Sequence, residues 1–329
     1  MKTINKLTFA ALAATLLFQN SITQAAPKYS DWSAPVNLGP VINSGFYDYH
    51  ASVSKNGLSL YFASDRPGGF SDPNEDLADL YVSQRASVND PWGTPENLGA
   101  TVNSAWGDGR PVLSRDEHYM FFQSNRPGAG GADIWVSWRP HTHDDFGWQP
   151  PVILGSGVNS DAIDAGPAYL ENEGGAPQLY FNSFRLGTSD IFLSELMADG
   201  SFGPAQLVTE LSGPAADAQP SIRHDGLEIF FHSNRSGSLD LWVATRASTL
   251  APWSTPVNLG STINTKYDER FPSISPDGET LYFTSGRPGG FGEASTWNIY
   301  MSTRTKLRGR SAKKLGAKIC WARKSRIHQ

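Results

Sequence analysis

Residues 58–69 read LSLYFASDRPGG, and the pattern returns as HYMFFQSNRPGA at 118–129, PQLYFNSFRLGT at 177–188, LEIFFHSNRSGS at 227–238 and ETLYFTSGRPGG at 279–290. Each is a short apolar, aromatic run closed by serine, arginine and a glycine-bearing turn, the signature of a β-strand and its exit. The anchoring arginines are Arg66, Arg126, Arg185, Arg235 and Arg287. Upstream of each stands an aspartate (Asp48, Asp108, Asp164, Asp217 and Asp268), at spacings of 60, 56, 53 and 51 residues. Downstream come DLYVS, DIWVS, DIFLS, DLWVA and NIYMS. A Trp-x-x-Pro element follows as WGTPENLG, WQPPVILG, a weaker FGPAQLVTE, and WSTPVNLG.

Every unit therefore holds four short β-rich runs, with SKNG, RHDG and SPDG turns between the first and second. Four strands per 50–60 residues, without a helical pattern, describe a propeller blade. The expected fold is all-β: a five-bladed β-propeller of four-stranded blades. The fifth unit lacks its Trp-x-x-Pro strand, whereas DWSAPVNLG at 31–39 is that element without a preceding unit. The N-terminal segment Asp31 to Leu38 is thus expected beside Asn298 to Thr303, closing the ring and removing a free sheet edge.

The combination of Asp-x-x-Pro, an SPDG-like turn, LYF-x-S-x-R-x-G and DIW resembles the TolB-type, WD-like β-propeller repeat over roughly residues 31–304. That resemblance implies the fold. For function it implies a choice, because members of the family serve as protein-binding scaffolds, as propellers fused to peptidases and as polysaccharide lyases.

Residues 1–25 read as a secretory signal: Lys2 and Lys6, an apolar run from Leu7 to Phe18, and Thr23-Gln24-Ala25 as a small-x-small cleavage site. Three regions are expected: the signal at 1–25, the propeller at 26–305 and a basic, unstructured tail at 306–329. The product is expected to be a periplasmic or secreted monomer with no membrane span. The lone Cys320 offers no disulfide within the chain, so stability rests on packing. Of 27 Lys and Arg, nine lie in the tail and two in the leader, leaving 16 against all 32 acids in the body. So acidic a body repels phosphate backbones, and nucleic acid is excluded as its partner.

The aspartates preceding each innermost strand are expected to ring one mouth of the channel, raising one another's pKa unless cations intervene. The repeats break symmetry there. From the anchoring arginine to the third strand there are 13, 7, 5, 5 and 11 residues, so long loops of blades five, one and two wall one side of the mouth. The same blades place large side chains beside their aspartates: Phe46, Tyr47 and His50; Trp106 and Arg110; Tyr267, Glu269 and Arg270. Phe70 and Phe291 recur in PGGF loops. The expected ligand-binding set is Asp48, His50, Trp106, Asp108, Arg110, Tyr267, Asp268, Arg270, Phe70 and Phe291. Arg110 and Arg270 either neutralise neighbouring aspartates or hold a ligand carboxylate.

Aromatic faces beside charged groups suit a glycan or a protein segment. The first reading is an exported binding propeller gripping either one at the mouth. The alternative is a carbohydrate-active enzyme, a glycoside hydrolase or polysaccharide lyase. Five-bladed propellers also host arabinanase-type hydrolases with carboxylates contributed by different blades, and here Asp48, Asp108 and Asp268, with Glu269 as acid, form the candidate set. No cofactor is expected. Asp72, Asn74 and Asp76 begin like a calcium loop, but Leu77 replaces its glycine and Ser83 its glutamate, leaving only an irregular calcium site as an option. The outer-strand tryptophans (Trp32, Trp92, Trp148, Trp253) are expected between blades, the third-strand aspartates (Asp79, Asp133, Asp190, Asp240) as loop caps or hairpin ion pairs, and His232 as structural.

Overall fold

The computed structural model describes residues 28–71, 77–172, 175–292 and 296–307. The expected leader, the Asp72, Asn74 and Asp76 segment, and the chain beyond Leu307 lie outside these residues. Those described form an all-β propeller of five four-stranded antiparallel blades. The innermost strands are Asp48–Val53, Asp108–Leu113, Asp164–Leu170, Asp217–Ile222 and Glu269–Ile274. In blade one the order outward is Asp48–Val53, Ser59–Ser64, Asp79–Gln84, Glu96–Asn97. Second strands such as Ser59–Ser64 and Glu228–Ser233 are buried along their whole length. A strand covered on both faces reads as a continuous apolar run rather than an alternation, which is why LYF and IFF mark the repeat.

Blade five closes as expected. Its order is Glu269–Ile274, Thr280–Ser285, Asn298–Thr303 and then Val36–Asn37 from the other end of the chain. Val36 pairs with Met301 and Asn37 with Tyr300, and the backbone N–H groups of Ser33 and Leu38 donate to Thr303 and Ile299. A second clasp lies beyond it, where Lys28–Tyr29 pairs with Lys306–Leu307. The boundary expected at residue 305 therefore falls two residues short, because Lys306 and Leu307 belong to the folded body.

The apolar clusters lie between blades. Trp148 packs with Tyr61, Leu80 and Met120 between blades one and two, Trp253 with Tyr180 and Phe231 between three and four. Trp32 and Trp92 occupy the other gaps of this kind, and Phe202 serves the gap between two and three. The tryptophans thus take the expected positions. An arginine follows the third strand of four blades and lies over the ring: Arg85 on Trp92, Arg139 on Trp148, Arg246 on Trp253 and Arg304 on Trp32, at 4.1–4.4 Å from the ring centroids.

Each innermost strand also breaks register after its second residue. The first residue inside the break is His50, Arg110, Gly166, Gln219 or Phe271, and all five have positive φ, between 54° and 64°. Four of them are not glycine, so a conformation that L-residues rarely adopt is held in place by its surroundings.

Candidate functional site

The ring of acids is a set of five buried struts. Asp48 Oδ2 accepts the N–H and hydroxyl of Ser44 at 2.5 and 2.8 Å, while Oδ1 accepts from Ser64 at 2.7 Å and Arg66 Nη2 at 2.6 Å. Asp108 is held by Ser104 and Arg126, Asp164 by Ser160 and Arg185, Asp217 by Arg235. Each arginine also donates to a backbone carbonyl in the loop leading to that acid: Ile42, Val102, Val158, Leu211 or Ile263. The recurring Ser-x-Arg and Asp are thus two halves of one bracket tying each incoming loop to the second strand.

In blade five the expected residue is displaced by one. Glu269, not Asp268, accepts from Thr265, Ser285 and Arg287. Counted back from Pro272, Glu269-x-x-Pro272 matches Asp108-x-x-Pro111, a register legible in the sequence. Asp268 instead pairs with Arg270 at 2.5 Å near the surface. In Asp108 and Asp217 the leading cause of a raised pKa is burial, not another acid of the ring, and it is opposed by their own arginines and serines.

The five left-handed residues form the waist of the channel, below the acids. His50, Arg110, Gly166, Gln219 and Phe271 line the deep end of a cavity of about 70 Å³ that runs to the turns between first and second strands, where Glu117, His224 and Pro276 stand. His50 packs tilted against Phe271 with centroids 3.8 Å apart, and Arg110 lies over the same ring at 5.1 Å. His50 and His232 are both held well below the usual histidine range, by burial first and then by the Arg110 charge. The described cavity thus opens on the face opposite the expected mouth, with His50 and Arg110 inside it and the other expected ligand residues elsewhere.

Of those, Asp48 and Asp108 are buried struts, and the rest occupy the rim carrying the loops into the first strands and out of the second. Phe46, Phe70, Trp106 and Phe291 all expose more than a third of their surface there. Their loops touch: a side chain at Gly292 would meet the Gly45 carbonyl at 2.9 Å, and one at Gly107 would meet Leu77 at 3.2 Å. Blades five, one and two therefore share one continuous rim. Beneath it, Trp297 contacts Tyr47, Tyr49 and Phe271, with Arg270 over its indole at 4.4 Å. Trp297 and Phe271 escaped the sequence reading. Phe271 was recoverable from Glu269-x-x-Pro272, whereas Trp297 sits in a loop without a repeat to align it.

The third-strand aspartates are loop caps. Asp79 accepts the N–H groups of Phe70 and Ser71, and Asp133 those of Ala129 and Gly130. Asn298 does the same for Phe291. His232 Nδ1 faces the Phe271 N–H at 3.4 Å, a structural contact. No group of His, Cys, Asp and Glu suited to a metal ion occurs among the described residues.

No protein-family model matches the chain, and no curated protein sequence matches it. Solved structures do. An α-L-arabinofuranosidase from Podospora anserina superposes with a TM-score of 0.57 at 12% identity over 85% of this chain and 98% of that one. The catalytic domain of a GH62 α-L-arabinofuranosidase from Coprinopsis cinerea gives 0.55 at 12% identity, with the same coverage. The Bacillus subtilis arabinanase Arb43A gives 0.51 at 14% identity over 81% and 96%. What is shared is the five-bladed propeller. A putative TolB from Agrobacterium tumefaciens, at 18% identity, reaches a TM-score of 0.48, too low to favour the TolB-type repeat family over other five-bladed propellers.

Proposed function

We propose that this propeller recognises a glycan on the rim of blades five, one and two. The observation that carries the reading is the outward presentation of Phe291, Phe46, Phe70 and Trp106 on touching loops. Sugar rings stack on aromatic faces while their hydroxyls turn to polar neighbours, and the Asp268–Arg270 pair supplies such neighbours at the same rim. The similar fold of proteins named as arabinofuranosidases and arabinanases supports a glycan over a protein segment as occupant.

Binding is favoured over cleavage by the state of the carboxylates. Glycoside hydrolysis ordinarily needs two carboxyl groups flanking the scissile bond. Asp48, Asp108 and Glu269 have side chains with no exposed surface and are each engaged by an arginine, while the Asp268 side chain is 40% exposed. The second reading, a carbohydrate-active enzyme, draws on the same glycosidase-like folds and would use Asp268 as its exposed carboxylate.

A screen of oligosaccharides for binding and for release of reducing ends separates the two. Binding without release is expected. Trp106→Ala should weaken it by about 1–3 kcal/mol, the usual cost of losing a covered aromatic contact, with the melting temperature nearly unchanged. Release of reducing ends that disappears in Asp268→Asn would establish the enzyme instead.

A further inference from the structure

Arg110 is a cation without a counter-ion. The arginines beside the ring of acids each reach an acid, and Arg270 reaches Asp268. Arg110 forms no ion pair among the described residues, since Asp108, two positions before it, is taken by Arg126. Its Nε has no hydrogen-bond partner, and its Nη1 reaches Asn182 Oδ1 only at a long 3.4 Å. Burial brings its pKa down to about 9, so the part-buried guanidinium remains charged at neutral pH. An unpaired charge in such a place is costly, and arginine does not escape by losing its proton.

The surroundings leave room for that charge. A Cβ on Gly166, the one glycine among the five waist residues, would come within 2.9 Å of Arg110 Nη1 and 2.6 Å of Asn182 Oδ1. Opposite, His50 is 7% exposed, and neither of its ring nitrogens makes a well-formed hydrogen bond, the Gln219 side chain being the polar group that approaches it. A buried neutral imidazole, with one N–H to give, next to an idle guanidinium N–H at the closed end of an open funnel, brings two donors to one space.

We propose that the waist of the channel is a binding site for a small monocarboxylate, which enters from the face bearing the turns between first and second strands and is held by Arg110 with His50 and Gln219. The planar guanidinium matches a carboxylate in geometry. The charge is matched too: burial keeps His50 and His232 neutral, so Arg110 offers a single positive charge, which a monoanion balances and a dianion exceeds. This site is independent of the rim, which lies on the other face.

Isothermal titration of the full chain in carboxylate-free buffer, with acetate, glycolate, acetamide and inorganic phosphate as probes, reads the site directly. Acetate or glycolate should bind and raise the melting temperature, with acetamide at least about tenfold weaker. Arg110→Gln should lose about tenfold or more in carboxylate affinity, the usual consequence of removing a charged hydrogen bond, while melting no lower than the parent protein and keeping any rim glycan binding. Carboxylate binding that survives Arg110→Gln, preference for phosphate, or no carboxylate binding to the parent protein would each overturn the proposal. Should Arg110→Gln fail to fold, the parent protein's discrimination between acetate and acetamide, together with the affinity of His50→Leu, decides it: equal binding of the two probes, or affinity unchanged in that variant, sinks the site.

Discussion

Deleting residues 26–40 should abolish a soluble, cooperatively melting protein. The truncation removes Val36 and Asn37 from their pairing with Met301 and Tyr300, and with it the cover over Asn298–Thr303, which would become an exposed edge strand of the kind that pairs with other chains. It also removes Trp32 from the gap between blades four and five, where the ring meets Phe230 edge-on at 6.1 Å. Tyr29 goes too. Its ring lies 3.8 Å from the Arg304 guanidinium, which joins Arg223 on the buried Glu228. A closed ring distributes such losses, since each blade braces two neighbours. Size-exclusion chromatography and a thermal melt check the outcome: aggregates or a broad, non-cooperative transition are expected, and a monomer with a sharp melt would refute closure.

The second large effect is expected at Asp145, in the loop between the third and outer strands of blade two. Its carboxylate gathers Ser59 Oγ and Tyr61 Oη at 2.5 Å, Gln84 Nε2 at 2.7 Å and Arg139 Nη1 at 2.8 Å, joining blade two to blade one. Arg139 is fully buried, so Asp145→Ala leaves a guanidinium and two hydroxyls without their acceptor inside the protein. Breaking a buried pair from one side costs about 3–5 kcal/mol, enough to remove a large share of a typical domain's stability. The pH dependence carries a sign. Burial alone would raise the Asp145 carboxyl, but the hydrogen bonds from Ser59, Tyr61, Arg139 and Gln84 together hold it below the usual aspartate value of 3.8. A depressed native pKa contributes stability that is present above the unfolded value and lost as pH falls through the native one. The gap between Asp145→Asn and the parent protein, measured by denaturant titration, should therefore be widest above pH ~4 and close on further acidification. Asp108 and Asp217, whose carboxyls are raised by burial, act in the opposite sense. A gap independent of pH would show that Asp145 matters only by its shape.

The fold was legible because a propeller writes itself five times. The LYF-x-S-x-R block, the split Trp-x-x-Pro element and the turn signals each recur, and one alignment placed strands, closure and inter-blade tryptophans together. The site was legible only in part, for identifiable reasons. A recurring acid looks the same in sequence whether it faces a channel or a bracket of serine and arginine, and here the Ser-x-Arg of the second strand, whose serine stands directly opposite the acid, decided in favour of the bracket. Aligning blade five on Asp268 rather than on Glu269-x-x-Pro272 then moved Arg270 into the place that Phe271 holds. The inward turn of His50 and Arg110 depends on a register break, which is a backbone event without a residue signature. Asp145 lies in a loop that repeats in no other blade, so no comparison within the chain could expose it.

The five left-handed residues have a consequence for how such a protein can be changed. His50, Arg110, Gly166, Gln219 and Phe271 occupy one backbone conformation, imposed by the acid and loop on one side and the register break on the other, and that conformation tolerates an imidazole, a guanidinium, a hydrogen, an amide and a phenyl ring alike. The waist is in effect a five-character word written in interchangeable type. Swapping letters at the four positions that already carry side chains should alter what the channel accepts while leaving the ring that prints them intact, whereas Gly166, where a Cβ would meet Asn182 Oδ1 at 2.6 Å, is fixed.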